Sequence, residues 1–197
     1  LMIEEGIRIE AIDKAHTKLG MPIGPIALLD EVGIDIGVHV MSGNMADLVK
    51  ERDGFKINYS MPKMLEAGLM GRKSKKGFYN YKMKKGKLKK DKTNNQVYQH
   101  FSSPKPKVLA EKEITDRAIL LLLNEAVWCL EDKIIENVQD GDIGGVFGIG
   151  FLPWSGGPFS YMNFLGIDKV VDQLNHYATI YGPKFNPRPL LLEMAKN

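Results

Sequence analysis

A single cysteine, Cys129, in 197 residues leaves no partner for an internal disulfide and no material for a cysteine-rich zinc site. It sits in an apolar run, where a free thiol behaves as a small hydrophobe, so a core position is expected for it. The four histidines, His16, His39, His100 and His176, show no HExxH or comparable ligand spacing, and no metal is expected. Long apolar runs are missing as well. AILLLLNEAVWCL at 118–130 is interrupted by Asn124 and Glu125. It falls short of the ~18 residues that suggest a membrane helix and reads as a buried one. No secretory leader pattern opens the chain. Leu1 already lies inside a helical pattern, as in a piece of a longer polypeptide whose targeting signals are out of view.

No nucleotide fingerprint survives inspection. GGVFGIG at 144–150 is glycine-dense, but no strand precedes it and the spacing is wrong for GxGxxG. GLMGRKS at 68–74 lacks the GK[ST] ending of a phosphate loop. Both read as turn chemistry. The carboxylate pairs Glu4/Glu5 and Asp30/Glu31 have basic neighbours, and they read as solvated helix faces rather than acid–base pairs. Acid is scarce in one place only. From Arg72 to Lys92 there are 11 Lys/Arg and one acid, Asp91, for a charge of +10. The other residues carry 16 basic and 23 acidic groups, for −7, so an acidic body bears one basic segment.

What is present is helical punctuation. Residues 1–19 place Ile3, Ile7, Ala11, Ala15 and Leu19 on one side of an expected helix, which Gly20 ends with Pro22 just beyond. GPIALLDEVGID at 24–35 then supplies a helix start at Pro25, a stop at Gly33 and a cap for the next helix at Asp35. The same device returns 133 positions later as GPFSYMNFLGID at 157–168, with Pro158, Gly166 and Asp168 in the same places. IEEGI at 3–7 parallels LEDKI at 130–134. Two copies of one helical unit, hence an all-α fold, are expected.

Residues 1–81 form the first copy, with a short helix MLEAGL begun by Pro62 and an extended aromatic stretch in GRKSKKGFYNY at 71–81. KMKKGKLKKDKTNNQ at 82–96 has no apolar period and is expected to be a solvated or disordered linker, extended by SSPKPK as far as residue 112. A long helix from about Glu113 to Asn137 opens the second copy, 113–197.

Taken together, GMPIGPIALLDEVGID at 20–35, GRKSKKGFYNY at 71–81, NEAVWCLED at 124–132, GDIGGVFGIGFLPWSGGPF at 141–159 and YGPKF at 181–185 resemble the C-terminal region of the 3-hydroxyacyl-CoA dehydrogenases. Doubling of the unit resembles the large α-subunits of the multifunctional fatty-acid β-oxidation complex, which fuse enoyl-CoA hydratase and dehydrogenase parts. The resemblance implies NAD-dependent oxidation of L-3-hydroxyacyl-CoA by the whole enzyme. It places NAD, and a His–Glu pair that takes the hydroxyl proton, on a Rossmann domain upstream of these residues. This chain alone is then expected to be inactive. A family asparagine near the substrate belongs to an Asn-Arg pair just ahead of Leu1, and the matching point of the second copy reads Asp116-Arg117.

One family substrate-contact position falls in the chain, the aromatic before the Gly-x-Gly-Phe turn, here Phe147. Some relatives have tyrosine there, and a plain core position is the alternative. The implied partners are the acyl-CoA substrate, the upstream NAD-binding and hydratase domains, a second copy in a homodimer, and a thiolase subunit. The implied location is the bacterial cytoplasm, or alternatively the mitochondrial matrix. A different class of function would use 72–92 as an anion-binding or interaction module. Nucleic acid is not expected there, because Phe78, Tyr79 and Tyr81 cluster instead of alternating with the lysines.

Overall fold

The structure is a computed structural model describing residues 1–52, 54–55, 60–102 and 105–196. The chain divides into two compact units, the first comprising 1–17 and 23–111, the second 18–22 and 112–197.

In unit 1 the helices are α1 (Ile9–Leu19, whose last two residues are assigned to unit 2), α2 (Pro25–Val32), α3 (Ile34–Ser42), α4 (Asn44–Glu51) and α5 (Ser60–Glu66). Helix α1 starts later than its apolar pattern suggests. Residues 2–7 form a separate helical turn, closed by Gly6 N–H to Ile3 C=O (2.9 Å) and Ile7 N–H to Met2 C=O (3.0 Å), with Gly6 at φ 91°. That pair of bonds around a left-handed residue is a Schellman stop. The buried face of α1 is accordingly Ile9, Ile12, Asp13, Ala15 and His16.

The basic segment is the main departure from expectation. Instead of a disordered linker, residues 79–93 form an antiparallel hairpin of β1 (Tyr79–Lys84) and β2 (Lys87–Thr93), and a 3₁₀ helix follows at Asn95–His100. The two-residue turn is Lys85-Gly86, with φ of 52° and 74°, the double positive φ that matches the twist of a hairpin. Buried Tyr79 and Tyr81 anchor β1, and Asn94 and Val97 are buried beyond β2, so the segment belongs to unit 1. Ser103 and Pro104 of SSPKPK lie outside the described residues.

Unit 2 holds α6 (Glu111–Glu131, beginning one residue before the unit boundary), α7 (Val138–Ile143), α8 (Pro158–Leu165), α9 (Ile167–Tyr181) and α10 (Pro189–Met194). Its core joins Leu120, Leu123 and Val127 of α6 to Phe151, Leu152, Met162, Val170, Leu174 and Phe185. Helix α6 stops at Glu131, short of Asn137, because Lys133 turns left-handed at φ 57°. Cys129 is half-buried rather than deep in this core. Among the described residues the fold is all-α apart from one hairpin, with the helical unit duplicated.

Candidate functional site

The repeated device is built the same way in both units. Pro25 and Pro158 open their helices, where a missing N–H costs nothing. The residue before each proline is glycine and has no side chain with which to cap. A carboxylate from another helix does it instead. Asp13 accepts from Ile26 N–H (2.8 Å) and Ala27 N–H (3.0 Å), while Asp142 accepts from Phe159 N–H (2.7 Å) and Ser160 N–H (3.2 Å). A Cβ on Gly24 would run into the Asp13 carboxylate, and one on Gly157 into Asp142. Glycine is therefore required by the clamp.

At the other end, Gly33 (φ 108°, ψ 129°) and Gly166 (φ 89°, ψ 120°) close one helix and begin the next with no residue between. Their carbonyls accept from Gly37 N–H and Val170 N–H, both at 3.1 Å. The glycines thus take the cap position expected for Asp35 and Asp168. Those aspartates lie in the first turns of α3 and α9, where negative charge suits the helix dipole. Asp35 pairs with Lys73, which holds its carboxyl below the usual range.

Asp30 is not on a solvated face. It is 1% exposed and accepts from Phe78 N–H (2.8 Å), Tyr79 N–H (2.8 Å) and Tyr81 Oη (3.2 Å). Burial pushes its carboxyl up to about 6 against the pull of these bonds. Tyr79 Oη donates to Asp13 at 2.7 Å, so two carboxylates and two tyrosines tie β1 to α1 and α2. Burial and the neighbouring carboxylates push both phenols upward. This explains GRKSKKGFYNY, since side chains on Gly71 or Gly77 would collide with Asp30. Glu31, by contrast, pairs with Arg72 in the open. The clue to Asp30 in the sequence was the glycine spacing around it rather than its acidic neighbour.

In unit 2 the glycines of GDIGGVFGIG serve packing. Gly141 lies against the Phe159 ring and Gly145 against Pro158, and the stretch 144–148 is a π-helical turn continuing α7. It follows a helix and does not fit the turn that holds an NAD pyrophosphate after a strand. Phe147 projects from this turn and is 86% exposed, which removes the core alternative. Ile143 and Ile149 beside it in the chain are also exposed, forming a short apolar segment with open space around Gly144, Gly148 and Gly150. Asp116 accepts from Lys112 and from Tyr177 Oη, and Arg117 is buried with its guanidinium 3.8 Å over the Tyr181 ring, so this pair serves structure. Among the described residues no group of three or more His, Cys, Asp or Glu could hold a metal, and no helix is long and apolar enough to cross a membrane.

Residues 1–81 match the model of the family described as 3-hydroxyacyl-CoA dehydrogenase, C-terminal domain. Similar curated proteins extend over nearly the whole chain. One is a fatty acid oxidation complex subunit alpha from Shewanella sp. (strain MR-4), 43% identical over 98% of this chain and 27% of its own length. Another, of the same name, from Vibrio vulnificus (strain CMCP6), is 44% identical over 95% of this chain and 25% of its own. The chain therefore spans about a quarter of these relatives.

Among solved structures, 3-hydroxybutyryl-CoA dehydrogenase from Escherichia coli K12 matches the fold with a TM-score of 0.75, at 18% identity over 99% of this chain and 56% of its own. The dehydrogenase part of multifunctional enzyme 1 from C. elegans matches with 0.60, at 20% identity over 93% and 41%.

Proposed function

We propose that the chain is the C-terminal helical part of an NAD-dependent L-3-hydroxyacyl-CoA dehydrogenase of fatty-acid β-oxidation, where it walls the acyl-CoA cleft and offers an oligomer surface. The observation that carries the reading is Phe147, a large aromatic held out on a glycine turn at the family's substrate-contact position. Covering such a side chain is worth roughly 1.5–3 kcal/mol, enough to matter for an acyl chain lying against it. It has no hydroxyl, so its contact is apolar.

NAD, when bound, would supply the acceptor for the C3 hydride, and the His–Glu pair would take the hydroxyl proton, leaving the 3-ketone. NAD and that pair belong on the upstream Rossmann domain, the hydratase on a further domain. A homodimer and a thiolase subunit complete the assembly, in the cytoplasm as the bacterial sources of the relatives suggest, with the mitochondrial matrix as the alternative. In the full-length enzyme, Phe147→Ala should raise KM for a 3-hydroxyacyl-CoA with little change in kcat. Unchanged KM and kcat would remove Phe147 from the site. NADH production by residues 1–197 alone would refute the division of labour.

A second reading draws on the hairpin. Lys82 faces Lys89 and Lys84 faces Lys87 across the two strands, with Asp91 bonded to Lys82 and Lys84. Like charges directly opposite destabilise a hairpin, so this face suits a distributed anion. Binding to anionic vesicles that is lost in high salt would support it, and no binding at low salt would dismiss it.

A further inference from the structure

Unit 2 holds a cavity of about 100 Å³ lined by α6, α8 and α9, together with Leu19. All of its walls come from residues 18–22 and 112–197, so it belongs to this unit by itself. Leu19, Ile119, Leu120 and Leu165 supply the apolar lining. Lys112 also lines it and is largely exposed, which marks the mouth.

Two polar groups in the wall have bonding capacity that the described residues leave unused. Tyr161 is 8% exposed, yet its Oη has no hydrogen-bond partner among them. A buried phenol normally has one. Its ring is packed against Phe151 and Trp154, with centroids 5.9 and 5.5 Å away, so the hydroxyl cannot swing off to find a partner elsewhere. Burial and the Asp116 charge raise its pKa while Lys112 lowers it, so the hydroxyl end is the end near the charged pair of the cavity. It remains a donor at neutral pH. The second group is Asp116. Its Oδ2 accepts from Lys112 Nζ at 2.5 Å and from Tyr177 Oη at 3.2 Å, which accounts for its structural role. Its Oδ1 accepts from no side chain among the described residues.

Water fills such a space poorly. A volume of 100 Å³ corresponds to about three waters, which would call for about nine hydrogen bonds. Beyond the two unused groups, only the half-buried Gln173 amide is unbonded in the wall, and four aliphatic side chains offer nothing. An apolar chain gains against those residues what water loses. Charge on a ligand is disfavoured as well. Lys112 and Asp116 already neutralise each other, so a carboxylate would face Asp116 and an ammonium would face Lys112.

We propose that this cavity binds a short aliphatic alcohol, whose hydroxyl accepts from Tyr161 Oη and donates to Asp116 Oδ1 while its chain lies against Ile119, Leu120 and Leu165. One hydroxyl satisfies both unused groups at once. The space is about two-thirds of an engineered ~150 Å³ cavity that admits benzene, which sets the size at about four carbons. The site rests on unit 2 alone and stands or falls separately from the dehydrogenase reading.

The test titrates n-butanol, butyrate and butylammonium separately into the full chain and follows the methyl NMR signals of Ile119, Leu120 and Leu165. Butanol should shift these methyls saturably in the millimolar range, with both ions at least about tenfold weaker. Tyr161→Phe keeps the ring and should weaken butanol about fivefold. No saturable shift with butanol overturns the proposal, since the cavity would then hold water only. Butyrate or butylammonium binding as tightly as butanol overturns it too, as does a Tyr161→Phe chain that binds butanol like the parent. Should that variant fail to fold, the ranking of the three probes on the parent decides.

Discussion

Removing the Asp13 carboxylate should be among the most damaging single changes to unit 1. Asp13 is buried and accepts three hydrogen bonds, from Ile26 N–H at 2.8 Å, Ala27 N–H at 3.0 Å and Tyr79 Oη at 2.7 Å. Asp13→Ala leaves all three donors without their acceptor. A buried unsatisfied donor costs ~1–3 kcal/mol, and losing a helix cap alone costs about 0.5–2 kcal/mol. Partial relaxation and entry of water bring the sum to roughly 4 kcal/mol, a large share of the ~5–15 kcal/mol that holds a domain together. Asp13→Asn keeps one acceptor but turns an N–H₂ toward a donor, so it should recover little.

The assay is urea unfolding, combined with hydrogen exchange at the Ile26 and Ala27 amides, which reads the clamp directly. Tyr79→Phe should cost about 1 kcal/mol in the parent and much less in Asp13→Ala, because the partner is already gone. Asp142→Ala provides the comparison. Its clamp includes the exposed Ser160 hydroxyl, so water can replace it and the loss should be about 1–2 kcal/mol. If Asp13→Ala costs less than about 1 kcal/mol, or if exchange at Ile26 and Ala27 is unchanged, the clamp is not what holds α2 in place.

Asp30 gives a pH signature, because its carboxyl is raised to about 6 in the fold. A raised carboxyl binds its proton more tightly when folded, so its contribution is fully present below the ordinary carboxylate value of ~4 and is lost as pH climbs through about 6. Asp30→Asn should lower stability at every pH and flatten that slope. Urea midpoints from pH 4.5 to 7.5 check it, and a slope unchanged by the substitution would refute it. Gly33→Val and Gly166→Val should each cost more than about 1 kcal/mol at φ 108° and 89°. Neutral melting temperatures would show that the elbows yield. Brief trypsin treatment should cut first at the Lys84–Lys87 turn and spare the paired strands. Rapid cleavage throughout 82–95 would favour the disordered linker over the hairpin.

Much of the fold was legible because helix punctuation is local chemistry. Pro25, Gly33, Pro158 and Gly166 mark helix boundaries in sequence and structure alike. The hairpin was hidden by composition. Lysine is a poor strand residue, and the charge run outweighed the Lys85-Gly86 turn and the cross-strand Met83–Leu88 pair that were present in the pattern. Asp13 and Asp30 were hidden for another reason. Their partners are backbone N–H groups 13 to 49 residues away, which no side-chain spacing records. The flanking glycines that make room for them were visible, and their purpose needed the third dimension. Phe147 was singled out by resemblance, and its exposure is a property of the π-helical turn that no period announces.

The carboxylate clamp also bears on the order in which this chain can fold. Helices of eight residues, such as α2 and α8, are too short to persist in water by themselves. Each takes the acceptor for its first turn from a helix earlier in the chain, so neither can be completed until that helix has formed and swung into place. What reads locally as a helix start is thus a long-range contact, and it should appear late on the folding route. A helix that borrows its cap waits for the lender.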